Sequence, residues 1–501
     1  MLERPSKPDA DSEAIARLSD LTGIDIAHFR AKRTIRDPAT HGAVALRNLV
    51  RIVNPFADEP IEGVADRGAL SAAVATHYGK DPAGWEATLG SIVDHFFAAR
   101  PLSLFSPLDG EALPLRAEVL GTRTRWMQWI VLGKRRLRIL ALEANTPVGI
   151  WYPERNEFLL VRTGIPKPEE FVRHMVYAVV ERPAAFLRWL EAASHRRARR
   201  AFIVGEARPS HFMAQTLGFL HRHMQDRILP FLEEGHLLVI LSDRSFIQPL
   251  TVFPELRNRA TLMVSVQEAP ALLAGLGLHC RLNDRRIGNT DYGWTARLGG
   301  RTAEADEYGV WVGIDAERMR FDNQVEGFAA CLRRLADVAK GEGRRLKVYW
   351  DGWTLAAGNR PRERDLEVIG RIDEIAARIK AMLPQDVAEE RLQGRSAEEK
   401  IGLASGCRIA IATFGTATIL PTCALGIPTV TYHAPAMFDA IPIASGKYCD
   451  PAHTLPVPPE AITLVGGMAA EPHKQVFAVA VPALLATLEQ AITASPATAA
   501  N

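Results

Sequence analysis

The sequence has no paired cysteines, no strong excess of charge of one sign and no long apolar run. Its five cysteines stand singly, without any CxxC pair, so neither a zinc motif nor a disulfide framework is indicated. The formal net charge of +2 at pH 7 is too close to neutral to favour general nucleic-acid binding. We therefore expect no metal site, no disulfides and no nucleic-acid partner.

Neither end of the sequence predicts a membrane segment. The most apolar stretch near the C-terminus, residues 476–488, is interrupted by Pro482 and falls short of the roughly 18 apolar residues that a span requires. The first residues lack the apolar core of a signal peptide, so a cytoplasmic location is expected. Basic runs at residues 134–138 and 195–200 leave open a peripheral contact with an anionic inner-membrane surface, although solvated charge is their usual explanation.

The sequence is long enough for several domains. Its 501 residues exceed one ordinary hydrophobic core. Helical spacing predicts an N-terminal helical region over residues 1–100, and strand patterns predict a small β-rich module over 101–165. A βαβ rhythm then predicts Rossmann-like domains over 166–305 and 306–501, so the expected fold class is α/β. A glycine-rich and acidic stretch over 299–308 is the predicted hinge.

The aromatic residues of the β-rich module have two interpretations. Trp126, Trp129, Trp151 and Tyr152 offer flat faces that complement the apolar faces of sugar rings. They also suit the core of a small module, because aromatic side chains bury more apolar area than aliphatic ones. We favour the core interpretation.

Residues 409–433 hold the clearest functional pattern. A buried-strand pattern over 409–412 leads into a turn, a helical pattern follows, and a second strand is predicted over 429–432. Such a turn exposes backbone N–H groups at a positive helix end, where a phosphate can bind. An ordinary βαβ unit is the alternative, because glycine is common at such turns for conformational reasons alone. The candidate phosphate-binding residues are Phe414, Gly415, Thr416 and Ala417.

This stretch resembles a known loop. Gly415-Thr416-Ala417-Thr418, followed by Gly-Ile-Pro-Thr-Val at residues 426–430, is similar to the nucleotide-sugar loop of glycosyltransferases with the GT-B fold, and in particular of lipid A disaccharide synthases. The resemblance implies two Rossmann-like domains facing a cleft, the first on the acceptor side and the second binding the nucleotide-sugar. It also implies a ribose-binding glutamate early in the helix. Leu420 and Pro421 stand in its place here, and the segment is one residue longer.

A cluster of polar residues follows the strand predicted over 201–205. Glu206 and His211 are the catalytic candidates, since a general base must take the proton from the acceptor hydroxyl in an inverting sugar transfer. The alternative is structural, with Ser210 capping the following helix and Glu206 paired with Arg208.

Two arginines lie between a predicted strand end and a predicted helix start. Arg318 and Arg320 can clamp a diphosphate that also touches the Gly415 turn, because guanidinium groups bind phosphate oxygens in pairs. Ordinary surface pairing with Glu317 or Asp322 is the alternative.

Three further residues are candidates for ribose or sugar contacts. Asp351 and Trp353 follow a predicted strand, and His433 follows another. Asp351 can instead cap a turn, and Trp353 can stack on a base or close the site. The run from Ser396 to Glu399 matches a helix capping box.

Taken with the resemblance, these residues imply a metal-independent glycosyltransferase. It would move a sugar from a nucleotide-sugar donor to a saccharide or glycolipid acceptor, with no cofactor besides its substrate. Two alternatives stay open, because a fold does not fix a function. One is a nucleotide-sugar epimerase or hydrolase of the same fold, and the other is a non-catalytic glycan-binding or scaffold protein.

Overall fold

The computed structural model describes residues 7–23, 25–27, 50–57, 60–79, 84–98, 100–120, 127–143, 145–165, 168–181, 183–194, 199–206, 208–276, 278–282, 290–298, 306–466 and 474–495. Trp126, residues 195–198 of the second basic run and residues 299–305 of the predicted hinge lie outside them. The chain forms two compact units whose segments alternate along the sequence. Unit 1 consists of Met1–Val204, Met224–Leu241 and Asn258–Arg286, and unit 2 of Gly205–His223, Ser242–Arg257 and Ile287–Asn501.

The described strands of unit 1 form two sheets. These strands are Arg51–Val53 (β1), Ser103–Ser106 (β2), Glu111–Leu120 (β3), Met127–Leu132 (β4), Arg138–Glu143 (β5), Thr146–Tyr152 (β6), Glu157–Leu160 (β7), Arg200–Val204 (β8), Leu237–Leu241 (β9), Thr261–Val264 (β10) and His279–Leu282 (β11). The larger sheet has the order β1-β7-β6-β5-β4-β3-β2 and is antiparallel except for the β1–β7 pair. The smaller sheet, β10-β9-β8-β11, is parallel throughout.

The larger sheet is covered on both faces, which explains its nearly continuous apolar strands. Trp129 and Trp151 pack in a core with Phe171 on one face, whereas Ile130 and Ile150 belong to the core on the other. Trp129 and Trp151 are 1% and 0% exposed, so the core interpretation of these tryptophans is confirmed. The described α-helices and π-helix of unit 1 are Lys7–Thr22, Arg67–Tyr78, Trp85–Ala98, Pro168–Glu181, Pro183–Ser194, the π-helical Met224–Ile228, Leu229–Glu233 and Ala269–Gly275.

The first basic run is divided between surface and interior. Lys134 and its two arginine neighbours are exposed on the turn between β4 and β5. Arg138 is instead buried, and its Nη1 donates to Glu154 Oε2 at 2.7 Å. Peripheral membrane contact stays a prediction. Among the described residues, no helix combines the length and apolar character that crossing a membrane requires.

A buried ion pair joins the two sheets of unit 1. Arg281 Nη1 lies 3.1 Å from Glu118 Oε1, and both side chains are fully buried. Gln128 Nε2 also donates to the Glu118 carboxylate, at 3.2 Å. Burial raises the pKa of Glu118, and the Arg281 charge opposes that shift. Arg281 thus supplies the charge that makes burial of this carboxylate tolerable.

Unit 2 is built on a six-stranded parallel sheet. The strands of the unit are Glu307–Gly313 (β12), Arg345–Asp351 (β13), Thr354–Leu355 (β14), Ala388–Arg391 (β15), Arg395–Ser396 (β16), Cys407–Thr413 (β17), Thr429–Tyr432 (β18), Thr454–Pro456 (β19), Ile462–Leu464 (β20) and Phe477–Val479 (β21). The order in the sheet is β15-β13-β12-β17-β18-β19. Together with the parallel sheet of unit 1, it confirms the α/β class.

Helices pack against this sheet through a large hydrophobic core. Val310 and Val312 of β12 belong to this core. From the helices, Phe328 and Leu332 of Gln324–Gly341 and Leu484 of Val481–Ala494 also belong to it. The described α-helices and π-helices of unit 2 are Pro209–His211, the π-helical Phe212–Leu217, Gly218–His223, Pro249–Val252, Gln324–Gly341, Glu363–Lys380, Ala397–Ala404, Thr416–Ile419, the π-helical Leu420–Ala424, Pro435–Ala440 and Val481–Ala494.

Candidate functional site

In the parallel sheet of unit 2, the candidate residues of the C-terminal half lie at or just after the carboxyl ends of the strands. The strands β13, β12, β17 and β18 are direct neighbours in that order and run in the same direction. The carboxyl ends of such strands are where α/β proteins bind ligands. The residues that follow these four ends are Asp351 and Trp353, Arg318 and Arg320, the turn at Phe414 to Ala417, and His433.

The turn after β17 depends on Gly415. Its φ of 134° and ψ of −142° form a combination that only glycine adopts readily. Gly415 is buried, but a Cβ added there would meet no atom within 4 Å other than those of its chain neighbours, so there is space beside its backbone. Thr416 then begins a helix, whose first N–H groups have no partner within the helix. The turn therefore has the shape and polarity of an anion-binding loop.

The other residues of the turn have different surroundings. The Phe414 side chain is 2% exposed and packs against Phe438, with ring centroids 4.9 Å apart. Only its backbone belongs to the turn surface. Thr416 is exposed and Ala417 is half-buried. Thr418 Oγ1 donates to the Gly415 carbonyl at 2.8 Å, which fixes the start of the helix.

The helix after the turn is α-helical for one turn and then π-helical. In the π segment Leu420–Ala424, the Leu425 N–H donates to the Leu420 carbonyl, five residues back, at 3.1 Å. A π turn holds one residue more than an α turn. Leu420 and Pro421 are both buried. Their side chains therefore pack in the interior.

Arg320 is part of a buried network. Its Nε donates to Asp315 Oδ2 at 2.8 Å, and its Nη1 lies 3.1 Å from His433 Nε2. The carboxylate partner is thus Asp315, which the sequence analysis did not consider, rather than Glu317 or Asp322. Arg318 is exposed two residues earlier. The loop presents one outward-facing arginine and one anchored arginine.

Asp351 is buried against Lys400, a residue that the sequence analysis did not single out. The Lys400 ammonium contacts Asp351 Oδ1 and donates to the Trp353 carbonyl and to Thr354 Oγ1, each at 2.8 Å. These three partners match its three donors. Burial lowers the pKa of Lys400, and the Asp351 charge opposes that shift. The Trp353 indole N–H donates to Asp365 Oδ1 at 3.0 Å, so both predicted contact residues are held in place by polar partners.

The helix Ala397–Ala404, which carries Lys400, begins with the predicted capping box. Glu399 N–H donates to Ser396 Oγ at 3.3 Å, and Ser396 N–H donates to Glu399 Oε2 at 2.8 Å. The capping box is therefore confirmed. The Ser396 backbone N–H and hydroxyl lower the pKa of Glu399 below its usual 4.5.

Removing this cap is expected to lower stability in a pH-dependent way. Ser396→Ala should cost about 1 kcal/mol at pH 7, the usual value of a lost N-cap. Because the folded pKa of Glu399 is below its unfolded value, the contribution of its carboxylate is present above pH 4.5 and is lost as the pH falls through the folded pKa. Urea unfolding of the wild type, of Ser396→Ala and of Glu399→Gln at pH 7 and pH 3.5 tests both expectations. An equal difference at both pH values would contradict the pH dependence.

The structure brings the Glu206 and His211 loop to the Gly415 turn, since both belong to unit 2 and Pro209–His211 packs against Thr416–Ile419. Glu206 is 3% exposed, and its N–H donates to the Arg244 carbonyl at 2.9 Å. His211 is half-buried, with Nδ1 2.8 Å from Gln215 Oε1. Of these two catalytic candidates, His211 lies in the segment that packs against the helix after the candidate phosphate loop.

The alternative in which Ser210 caps this helix is wrong. The helix begins at Pro209, so Arg208 occupies the N-cap position and Ser210 is buried inside the first turn. Proline is favoured at the first helical position because its missing N–H has no helical partner there in any case. Burial raises the pKa of Tyr448, and the nearby Arg208 guanidinium opposes that shift.

Side chains of residues 292–295 make polar contacts with the π-helical segment Leu420–Ala424 and with Lys447. Thr295 Oγ1 lies 3.3 Å from the Cys423 carbonyl, and Tyr292 Oη donates to the Lys447 carbonyl at 3.0 Å. The loop that carries Tyr292 and Thr295 is tied to the helix Gly218–His223 by His221 Nδ1 and Asp291 Oδ2, 2.9 Å apart. Sequence reasoning missed this pair, because 70 residues separate its members.

No group of three or more His, Cys, Asp or Glu residues in the described part of the chain is arranged to hold a metal ion. The expectation of metal-independent chemistry stays a prediction.

A comparison with protein-family models finds no match to this chain, and a comparison with curated proteins finds none either. Among solved structures, the chain is similar to the E. coli heptosyltransferase WaaC with ADP, at 15% identity and a TM-score of 0.31, over 52% of this chain and 94% of that chain. It is also similar to the same enzyme with ADP-2-deoxy-2-fluoro heptose, at 17% identity and a TM-score of 0.17, over 40% and 55%. TM-scores of this size do not establish a shared fold, so the proposal below rests on this chain's own residues.

Proposed function

We propose that this protein is a glycosyltransferase that moves a sugar from a nucleotide-sugar donor to a saccharide or glycolipid acceptor. The supporting observation is Gly415, in a glycine-specific conformation at the carboxyl end of a central parallel strand, with open space beside it. The proposal includes a GT-B-like pair of Rossmann-like domains, with 166–305 on the acceptor side and 306–501 binding the donor.

In this proposal, the donor diphosphate binds at the turn after β17. The N–H groups of Thr416 and Ala417 point from the helix start toward the phosphate oxygens. Arg318 and Arg320 follow the neighbouring strand and add positive charge on the same sheet edge. Backbone dipoles and guanidinium groups would stabilise the diphosphate as it leaves, in place of a metal ion.

The acceptor would be activated by the loop that packs on this turn. Its hydroxyl oxygen attacks the anomeric carbon of the donor sugar, the bond from that carbon to the diphosphate breaks, and Glu206 or His211 takes the hydroxyl proton. The half-buried His211 ring is oriented by Gln215. In this proposal, the arginines bind the diphosphate, and the Glu206 carboxylate or the His211 imidazole accepts the proton.

The proposal is tested by melting the full chain with a panel of nucleoside diphosphates and nucleotide-sugars. A ligand at 100 times its Kd stabilises the folded state by about 2.7 kcal/mol, which is a clear rise in Tm. The ligand that binds is then incubated with saccharide acceptors, and free sugar and transferred sugar are separated. Free sugar without transfer would favour the hydrolase alternative, and no shift with any nucleotide would remove the donor site altogether.

Gly415→Ala is expected to weaken binding of that nucleotide by about ten- to a hundredfold. Its backbone conformation costs a residue with a Cβ about 1–3 kcal/mol, and relaxing the strain displaces the N–H groups. Titration calorimetry measures the change. Gly343→Ala is the matched control, because Gly343 also has a positive φ, of 70°, and open surroundings, but lies before β13 at the opposite end of the sheet. Equal losses in both variants would contradict the role of Gly415.

A further inference from the structure

Arg320 is held by two side chains that are more deeply buried than its own. The Arg320 side chain is 16% exposed, the Asp315 side chain is 5% exposed, and His433 is 0% exposed. Asp315 Oδ2 accepts from Nε of Arg320 at 2.8 Å and from its backbone N–H at 3.3 Å. One carboxylate oxygen therefore fixes both the backbone and the side chain of this arginine.

The second support comes from the neighbouring part of the sheet. His433 directly follows β18, and its Nε2 lies 3.1 Å from Arg320 Nη1. Since a guanidinium only donates hydrogen bonds, this ring nitrogen must accept, and the imidazole is neutral in this arrangement. His433 Nε2 is thus engaged with Arg320 and lies in the interior, which does not suit a direct ribose contact.

Asp315 is itself fixed by the following helix. Gln324, in the first turn of Gln324–Gly341, is 3% exposed. Its Oε1 accepts from the Asp315 N–H at 3.3 Å, and its Nε2 lies 3.4 Å from the Asp315 carbonyl. Gln324 therefore holds the backbone of Asp315, and the Asp315 carboxylate in turn holds Arg320.

We propose that Asp315 and His433 are positioning residues, which hold the Arg320 guanidinium at the sheet edge so that it meets the donor diphosphate already oriented. The inference rests on the function proposed above and adds a role for two residues. A free arginine must be ordered when it binds an anion, which weakens binding. Fixing it through Asp315 and His433 removes that cost.

The test compares the binding of a ligand that carries phosphates with the binding of the same ligand without them. The full chain is titrated with the nucleoside diphosphate that raises Tm most and with the corresponding nucleoside, which has no phosphate. Asp315→Asn and His433→Leu should each weaken diphosphate binding by about tenfold, the value of one lost hydrogen bond to a charged group, and leave nucleoside binding unchanged. His433→Gln should recover part of the affinity, because its amide oxygen can accept from Arg320.

The controls distinguish positioning from general damage. Glu489→Gln removes the partner of another close arginine pair, with Arg334 Nε at 2.6 Å, on the exposed surface, and it should change neither affinity. Equal losses for the diphosphate and the nucleoside, or no loss in either, would overturn the inference. If Asp315→Asn does not fold, the two His433 variants decide. A wild type that binds no nucleoside diphosphate would overturn the proposed function itself, whereas normal binding with insensitive variants would overturn only the positioning roles.

Discussion

Glu206→Gln is expected to lower the rate of sugar transfer by roughly 10²–10⁴-fold, the usual contribution of a general base. Glutamine keeps the shape of glutamate and most of its hydrogen bonds, but it cannot accept the proton of the acceptor hydroxyl at neutral pH. Glu206 is 3% exposed, and its backbone N–H donates to the Arg244 carbonyl at 2.9 Å, so its backbone is held within unit 2. Nucleoside diphosphate binding should stay unchanged, because the donor turn is left intact.

The measurement is kcat for transfer, with the Kd of the diphosphate measured in parallel. His211→Gln is assayed beside it, because Gln215 Oε1 accepts from Nδ1 of His211 and leaves Nε2 as the basic nitrogen. Loss in only one of the two variants assigns the base. Glu255→Gln is the control, since that carboxylate of unit 2 pairs with Arg297 at 2.7 Å. Full activity in both Glu206→Gln and His211→Gln would place the base elsewhere.

Lys400→Met is expected to destabilise the protein by about 3–5 kcal/mol, because it leaves the buried Asp351 carboxylate without its counter-charge. The Lys400 side chain is fully buried and that of Asp351 is 8% exposed. Methionine fills a similar volume, so the loss reports the charge and hydrogen bonds rather than a cavity. Urea unfolding followed by fluorescence measures the change.

Two further variants make this result specific. Lys380→Met removes an equally close lysine pair, 2.7 Å from Glu389, but at a surface where the side chains are 47% and 36% exposed. It should cost less than about 1 kcal/mol. The double variant Asp351→Leu with Lys400→Met should recover most of the stability, since no charge is then buried. A small loss in Lys400→Met, similar to that of Lys380→Met, would show that this buried pair carries little stability.

Local sequence patterns were sufficient for much of the secondary structure. The strand predicted over 429–432 is observed as Thr429–Tyr432, and the predicted capping box at Ser396 is present. Both depend on neighbouring residues only: one on a short β-branched run between a helix stop and a loop, the other on two side chains three positions apart. The glycine turn was located for the same reason.

The features that the sequence did not predict depend on contacts between distant residues. Lys400 lies in a highly charged stretch and is typical of a solvated helix face, yet it is buried because Asp351, 49 residues earlier, supplies a partner. Strand β1 lies in the region predicted as helical, and it forms through pairing with β7 about 100 residues later. The π-helical segment Leu420–Ala424 was not predicted either. No local propensity encodes any of the three.

The alternation of the two units also limits how this chain can be divided. Three segments of each unit alternate, so the chain passes from one unit to the other five times. A fragment of residues 306–501 would lack the carbonyl of Ser245, which accepts from Ala357 N–H, and that of Phe246, which accepts from Ala397 N–H. Neither unit can be excised, or exchanged between genes, by a single cut. Fragment complementation from separately expressed halves, rather than expression of an isolated donor half, is the suitable route to a divided form of this protein.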